Sequence, residues 1–412
     1  MATLVAFLCV LTTPTASAHR RGSRPRACAR HHRFRRTTKG SCSPKRRRHA
    51  VPTPAPIGVG PGTPQAPPTT PAGGSSPSPP LVPTGPGQSL PTPPSAPPET
   101  TTPFRFFSGS SIWNLPLSEG AALDPSSAAI VKAFSGEIAA DAASGLPPWI
   151  NTTSWSVPVY TVPAAQPTVS VTLESANAPA LQAAWRAVPL PAAAQPASGA
   201  EKVLVVSQPS RDRLWEFWRM EARNGAWYAK WGGAVQEAST SPGFYGPWAW
   251  PGAKPGWGVS ASSLDLLGGL ISLEDLAHDE IDHAIAIAVP NVRAGVYASP
   301  AQRTDGTSVS PLALPEGAHL RLDPHLDLQS LHLPHMTLMI AQAAQRYGFV
   351  VRDHAPNVSI YAQDPTPTGA NPYAGPRGYF EGRSPRELLA GFPWSHLQLL
   401  SMELHSVGSP TG

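Results

Sequence analysis

The 412-residue chain reads as a mainly β protein, a jelly-roll-like β-sandwich in a single domain with a few short helices, preceded by an N-terminal region that does not fold. Three observations carry that expectation. Short stretches rich in β-branched and aromatic residues, bounded by Pro/Gly turns, recur from about residue 150 onward. Stretches with helical signals are few and do not alternate with the strands, which argues against a parallel α/β sheet. Composition also changes abruptly at residue 104, beyond which lie all twelve tryptophans.

The chain opens with the apolar run Leu4 to Leu11, then Pro14 and Ala16-Ser17-Ala18. A short apolar region followed by an A-x-A site reads as a secretory signal over 1–18 and not as a membrane span. Residues 19–49 hold 13 Lys and Arg and no acid, so this basic arm cannot bury enough apolar surface to order itself. Without the arm, 18 basic residues face 26 acids, and the remainder is acidic. A basic arm on an acidic body points to a polyanionic partner: a wall polymer, anionic lipid or nucleic acid, the alternative being a solvated tail. Residues 50–103 contain 19 of the 52 prolines and form a semi-rigid linker. Cys28 and Cys42 fall in the arm and can pair in an oxidising compartment, while 104–407, the globular domain, has no cysteine. Thiol chemistry and Cys-ligated zinc are thereby excluded there. Residues 408–412 form a tail. No later segment is apolar enough to span a bilayer, so the chain is expected to be secreted or wall-associated, and monomeric.

Within the domain, strands are expected at 155–162, 168–173, 203–207, 214–220, 284–289, 319–322 and 349–351. Asn224-Gly225 between two such runs is a strong hairpin signal. Helices are expected over 125–134, where Asp124 caps and Pro125 takes the first helical position, over 337–347, ended by Gly348, and over 385–390, capped by Ser384.

There is no G-x-S-x-G, P-loop, dinucleotide fingerprint or H-E-x-x-H, which leaves carboxylates, histidines and aromatics to carry any chemistry. Glu216, on one strand face with Leu214 and Trp218, stands where desolvation favours a protonated general acid; the alternative is an ion pair with an arginine. Ser272 can cap a helix carrying Glu274 and Asp275, after which the chain turns near Asp279 and enters a strand at about Ile281. Asp282 and His283 stand at that entry, as catalytic groups or, alternatively, with Asp282 capping a turn and His283 satisfying a buried backbone group. His278 and Asp282 would share a helix face only if the helix continued, and no metal or cofactor is assigned. His319, Arg321 and Asp323 alternate with Leu320 and Leu322, as on a solvent face or the floor of a polar cleft. The apolar strand 349–351 emerges into Arg352-Asp353-His354, well placed at a sheet edge. Trp113, Trp218, Trp231, Trp248 and Trp250 are candidate platforms for the CH faces of sugar rings, the alternative being that they pack under long loops.

Ser111-Ile112-Trp113-Asn114, Glu216-Phe217-Trp218, Trp231-Gly232-Gly233, Ile281-Asp282-His283-Ala284, Asp305-Gly306, Pro315-Glu316-Gly317-Ala318 and Leu320-Arg321-Leu322-Asp323-Pro324 occur in this order. The pattern resembles a group of exported bacterial proteins of unassigned function and covers most of 108–355. The resemblance implies no activity, but it raises Glu216, Asp282, His283 and Asp323 above other acids and histidines.

The expectation is a secreted carbohydrate-active enzyme, a glycoside hydrolase or polysaccharide lyase acting on a polysaccharide or wall glycan. Glu216 would be the acid, Asp282 the base or nucleophile, and His283 an orienting or proton-shuttling group. Arg321 and Asp353 would contact substrate, with Asp323 and the tryptophans in the binding set. In a lyase, His283 or a tyrosine would take the proton and Arg321 would neutralise a uronate. The competing expectation is a non-catalytic glycan-binding module tethered by its basic arm. A peptidase or amidase lacks a nucleophile or metal motif.

Overall fold

The run Ile285–Val289, apolar at every position, is buried at every position. Its alternation decides the architecture. Ile285, Ile287 and Val289 enter one hydrophobic core, whereas Ala284 and Ala286 enter a second. A strand buried on both faces has no polar side to show, as expected of a wall between two packed layers. The computed structural model describes residues 105–408 except Ala176, so the signal, basic arm and linker lie outside the described residues.

In chain order the first strands are β1 (Trp149–Asn151), β2 (Val157–Thr161), β3 (Val171–Leu173), β4 (Leu204–Gln208) and β5 (Arg213–Trp218). There follow β6 (Glu221–Arg223), β7 (Ala226–Ala229), β8 (Trp231–Gln236), β9 (Ile285–Val289), β10 (Val296–Ala298) and β11 (His319–Leu322). The last are β12 (Phe349–His354), β13 (Ser359–Tyr361), β14 (Gln363–Asp364), β15 (Leu397–Leu399) and β16 (Leu404–Ser406). The α-helices are α1 (Ser127–Ala143), α2 (Pro179–Ala184), α3 (Leu273–His278) and α4 (His335–Arg346). Among the described residues no helix is long and apolar enough to cross a membrane.

One sheet has six strands in the order β1-β13-β9-β12-β11-β15, and a second has five in the order β14-β2-β4-β5-β8. The first packs under α1 and α4, around Phe349, Phe392 and Trp394; the second builds its core on Trp185, Trp215 and Phe217. A three-stranded sheet β3-β7-β6 and the pair β10-β16 complete the set. The β-rich expectation stands. The pairing, however, is mixed: β9 with β12 and β2 with β4 are parallel, while β4 with β5 and β5 with β8 are antiparallel. A jelly roll is built from antiparallel ladders, and these pairings do not reproduce one.

The hairpin at Asn224-Gly225 joins β6 to β7 with Arg223 opposite Ala226, and both turn residues have positive φ, 52° and 76°. That is the left-handed pair a tight hairpin turn demands. Helix α4 matches its sequence signal, whereas α1 has Ser126 and not Asp124 at its cap and runs on to Ala143, past the expected end at 134, and residues 385–390 form turns and no helix. The segment after α3 also differs: Ser272 and Asp275 close a capping box, Asp279 ends the helix at φ 59°, and the strand begins only at Ile285. Asp282 and His283 therefore lie on the connection, where strand alternation does not govern their directions.

Candidate functional site

A cleft of about 1120 Å³ opens between the two sheets. One wall comes from the second sheet, where Trp218 at the end of β5 lies directly across from Trp231 at the start of β8. Arg219 lies over the Trp218 ring at 4.5 Å, and Glu201 accepts the Trp218 indole N–H. The other wall comes from the first sheet. Trp149 of β1 packs on Trp155 with ring centroids 6.0 Å apart and donates to Ser359 Oγ at 2.6 Å, while Arg386 lies over it at 5.0 Å. Trp155 rests on Gly199, where a Cβ would come within 2.9 Å of the indole. Trp149, Trp155, Trp218 and Trp231 all line the cleft, the first three fixed by these contacts.

The polar groups enter from the end of β12 and the 303–305 segment. β12 carries a bulge at Arg352: Val351 stands opposite Ile287 and Asp353 opposite Ala288, leaving Arg352 unmatched. A bulge kinks its strand and re-aims the side chains around it. Here it buries Arg352 completely and presents Asp353 to the cleft. Arg352 Nη1 donates to the carbonyls of Leu266 (2.7 Å) and Gly268 (3.0 Å), and its guanidinium covers the Tyr361 ring at 4.3 Å. Burial pushes the Asp353 carboxyl up to about 6, with Asp305 adding repulsion and the His354 N–H and Arg352 opposing it. Arg303 donates to the Gly258 and Ser260 carbonyls at 3.0 and 2.7 Å. Burial and the nearby negative charges of Asp353 and Asp305 also raise Glu316 to about 8; the Thr304 hydroxyl and Asp305 amide oppose that rise.

Glu216 does not line the cleft; it stands behind the wall. Its Oε1 accepts the Val259 N–H at 2.6 Å and its Oε2 accepts the Leu266 N–H at 2.8 Å, and both of those residues face the cleft. Burial first, then the charge of Asp265, drives Glu216 toward the neutral acid. Tyr245 reaches Asp265 with its hydroxyl at 3.1 Å through a slot that glycines keep open: a Cβ on Gly233 would come within 2.2 Å of the Tyr245 ring. That is the physical reason for Trp231-Gly232-Gly233 inside a strand.

The other expected residues are placed as follows. Asp282 accepts from Arg346 and from Tyr347, each at 3.1 Å, and shares no hydrogen-bonding partner with Glu216. The structure does not bring the two into one site. His283 binds Asp275 Oδ2 at 3.1 Å and the Ala284 carbonyl at 2.8 Å, beside a separate, water-sized cavity. Arg321 is buried and clamps the chain at Ser118 and Glu119 while gripping Gln398, so it is no cleft residue. Asp323 caps a turn at His325. Trp113, 1% exposed, packs on Gly243 and Gly268 inside the core, and Trp250 is wedged against Trp215 and Arg213. Trp248 is 51% exposed and edge-packed on Phe244, away from the cleft lining.

Of the expected set, Trp218, Trp231 and Asp353 meet in the cleft. Arg352, from the same charged strand end as Asp353, lies there too, and Trp149, Trp155, Tyr361, Asn151 and Arg303 join them without having been singled out as site residues. The apolar strand running into Arg352-Asp353-His354 is the signal that marked this end of the sheet. Among the described residues no group of three or more His, Cys, Asp or Glu side chains is arranged to hold a metal ion. No protein-family model, curated protein or solved structure matches the chain.

Proposed function

We propose that the cleft binds a polysaccharide chain and cleaves it by carboxylate acid–base chemistry, the chain acting as a secreted carbohydrate-active enzyme. The observation that carries this reading is the meeting of two tryptophan pairs with Asp353, a carboxyl raised to about 6, in one open cleft. Indole faces suit the CH faces of sugar rings, and a carboxyl titrating near the working pH can both give and regain a proton. Asp353 donates its proton to the bridging glycosidic oxygen as the C–O bond breaks. Asp305, exposed at the rim, is the carboxylate that takes a proton from the incoming water as the water oxygen bonds to the anomeric carbon. The reading replaces the Glu216–Asp282 pair with Asp353–Asp305, because the latter share a cleft and the former do not. The signal at 1–18 and the basic arm at 19–49, both outside the described residues, would export the chain and hold it to a polyanionic wall polymer.

The test is a screen of the full chain for reducing ends and unsaturated products on a panel of polysaccharides. Turnover should fall at least a hundredfold in Asp353→Asn and stay near wild type in Asp282→Asn. Full turnover by Asp353→Asn would remove the assignment. Binding without turnover on every member of the panel would make the cleft a glycan-binding module.

A further inference from the structure

Arg352 packs its guanidinium on the Tyr361 ring but leaves two of its nitrogens without a hydrogen-bond acceptor. Nη1 is committed to the Leu266 and Gly268 carbonyls, but Nε and Nη2, both buried, meet no acceptor in hydrogen-bonding geometry. Those two N–H groups point the same way and form the side-on fork that takes a planar carboxylate through two parallel bonds. Buried donors without partners are rare because their desolvation is uncompensated, and one that lines a cleft points to a ligand atom or water. The same cleft holds a complementary orphan. Asn151 is 5% exposed; its Nδ2 donates to the Trp155 carbonyl at 3.2 Å, and its Oδ1 has no donor.

The charge around Arg352 is compatible with an anion. Glu216, Asp265 and Asp353 stand near it, and burial drives all three toward their neutral acids. Glu216, raised furthest of the three, to about 8, supplies the guanidinium no compensating charge near neutral pH. Arg303, whose Nε is likewise buried without a partner, adds a second cation along the same cleft. A neutral sugar would satisfy Asn151 with a hydroxyl but would give the Arg352 fork no planar pair of acceptors.

Resting on the glycan reading of the cleft, we propose that its ligand is an acidic saccharide: a uronate whose carboxylate enters the side-on fork of Arg352 while a ring hydroxyl donates to Asn151 Oδ1. The tryptophan pairs would hold the neighbouring rings.

The experiment is calorimetric titration of the full chain with oligomers of galacturonate, glucuronate and guluronate, with their methyl esters, and with a neutral cello-oligosaccharide of equal length. At least one free acid should bind ten-fold or more tightly than its ester. Arg352→Lys, which keeps the charge but not the planar fork, should erase that ratio, and Asn151→Ala should weaken acid and ester alike. Should Arg352→Lys fail to fold, the acid-to-ester ratio on the unaltered chain decides alone. Equal affinity for acid and ester, or binding of the neutral oligomer only, overturns the uronate while leaving the glycan reading intact. Binding of none of these ligands overturns both.

Discussion

Glu216 Oε1 accepts the Val259 N–H at 2.6 Å, so an acid in the middle of β5 fastens the loop that walls the cleft. The second oxygen does the same for Leu266 seven residues later. A carboxyl in this role is a brace: it holds both ends of the 259–266 segment against the sheet. Glu216→Ala strands two buried N–H groups and should cost about 2–5 kcal/mol, read as a lower urea midpoint. Glu216→Gln keeps one acceptor and should cost about half as much. A full-strength fold in Glu216→Ala, with only turnover lost, would return Glu216 to the catalytic role.

A buried acid held neutral makes stability depend on pH in a direction opposite to the usual carboxylate. Glu316, free at 4.5 and raised to about 8 by burial, keeps its proton in the folded chain where the unfolded chain has lost it. Between those values the unfolded state binds fewer protons, so unfolding becomes easier as pH rises. The contribution is complete below 4.5 and gone above 8, on the order of a few kcal/mol across the window. Glu216 and Asp265 push the same way. Urea unfolding should give greater stability at pH 5 than at pH 8, with a flatter profile in Glu316→Gln. Stability that climbs toward pH 8 would contradict this.

How much of this was readable beforehand follows from the physics of each part. Strands such as Ile285–Val289 and the Asn224-Gly225 hairpin were legible because local chemistry alone selects them. Sheet order was not, since β9 pairs with β12 and β13, strands more than sixty residues later that no local signal names. The site divides the same way. Arg352-Asp353 announced itself as charge after an apolar strand, but the bulge that separates their roles is a register effect with no sequence mark. Arg321, on an alternating strand, read as a solvent-face or cleft residue that would contact substrate, but the 118–119 segment covers it. Trp113 and Trp248 are chemically alike in sequence, and the glycines at 243, 268 and 269 make the room in which the first is buried.

His283 is flanked by acceptors on both ring nitrogens: the Ala284 carbonyl at Nδ1 (2.8 Å) and Asp275 Oδ2 at Nε2 (3.1 Å). A neutral ring can donate only one of those bonds, so the geometry selects the doubly protonated imidazolium. Burial lowers its pKa, but the charge and hydrogen bond of Asp275 outweigh burial, and the net displacement is upward. This ion pair therefore stabilises fully below the ordinary histidine value and is lost as pH rises through the raised one. Nitrogen-15 spectra at pH 6.5 should show both His283 nitrogens protonated, with the signature removed in Asp275→Asn. A neutral tautomer at that pH would dismiss the pair.

The two tryptophan pairs of the cleft make a prediction that separates them from the other exposed indole. Trp218 and Trp231 are cross-strand neighbours on one wall, and Trp149 and Trp155 pack together on the other. If both walls grip rings of one saccharide, Trp218→Ala and Trp149→Ala should each weaken binding by roughly ten-fold, the worth of about 1–1.5 kcal/mol per stacked aromatic. The double variant should lose roughly the product, since the two residues sit on different sheets and share no hydrogen-bond partner. Trp248, 51% exposed but outside the cleft lining, supplies the control, and Trp248→Ala should leave affinity unchanged. Affinity that follows Trp248 and ignores both pairs would move the ligand out of the cleft and onto the loop that carries that ring.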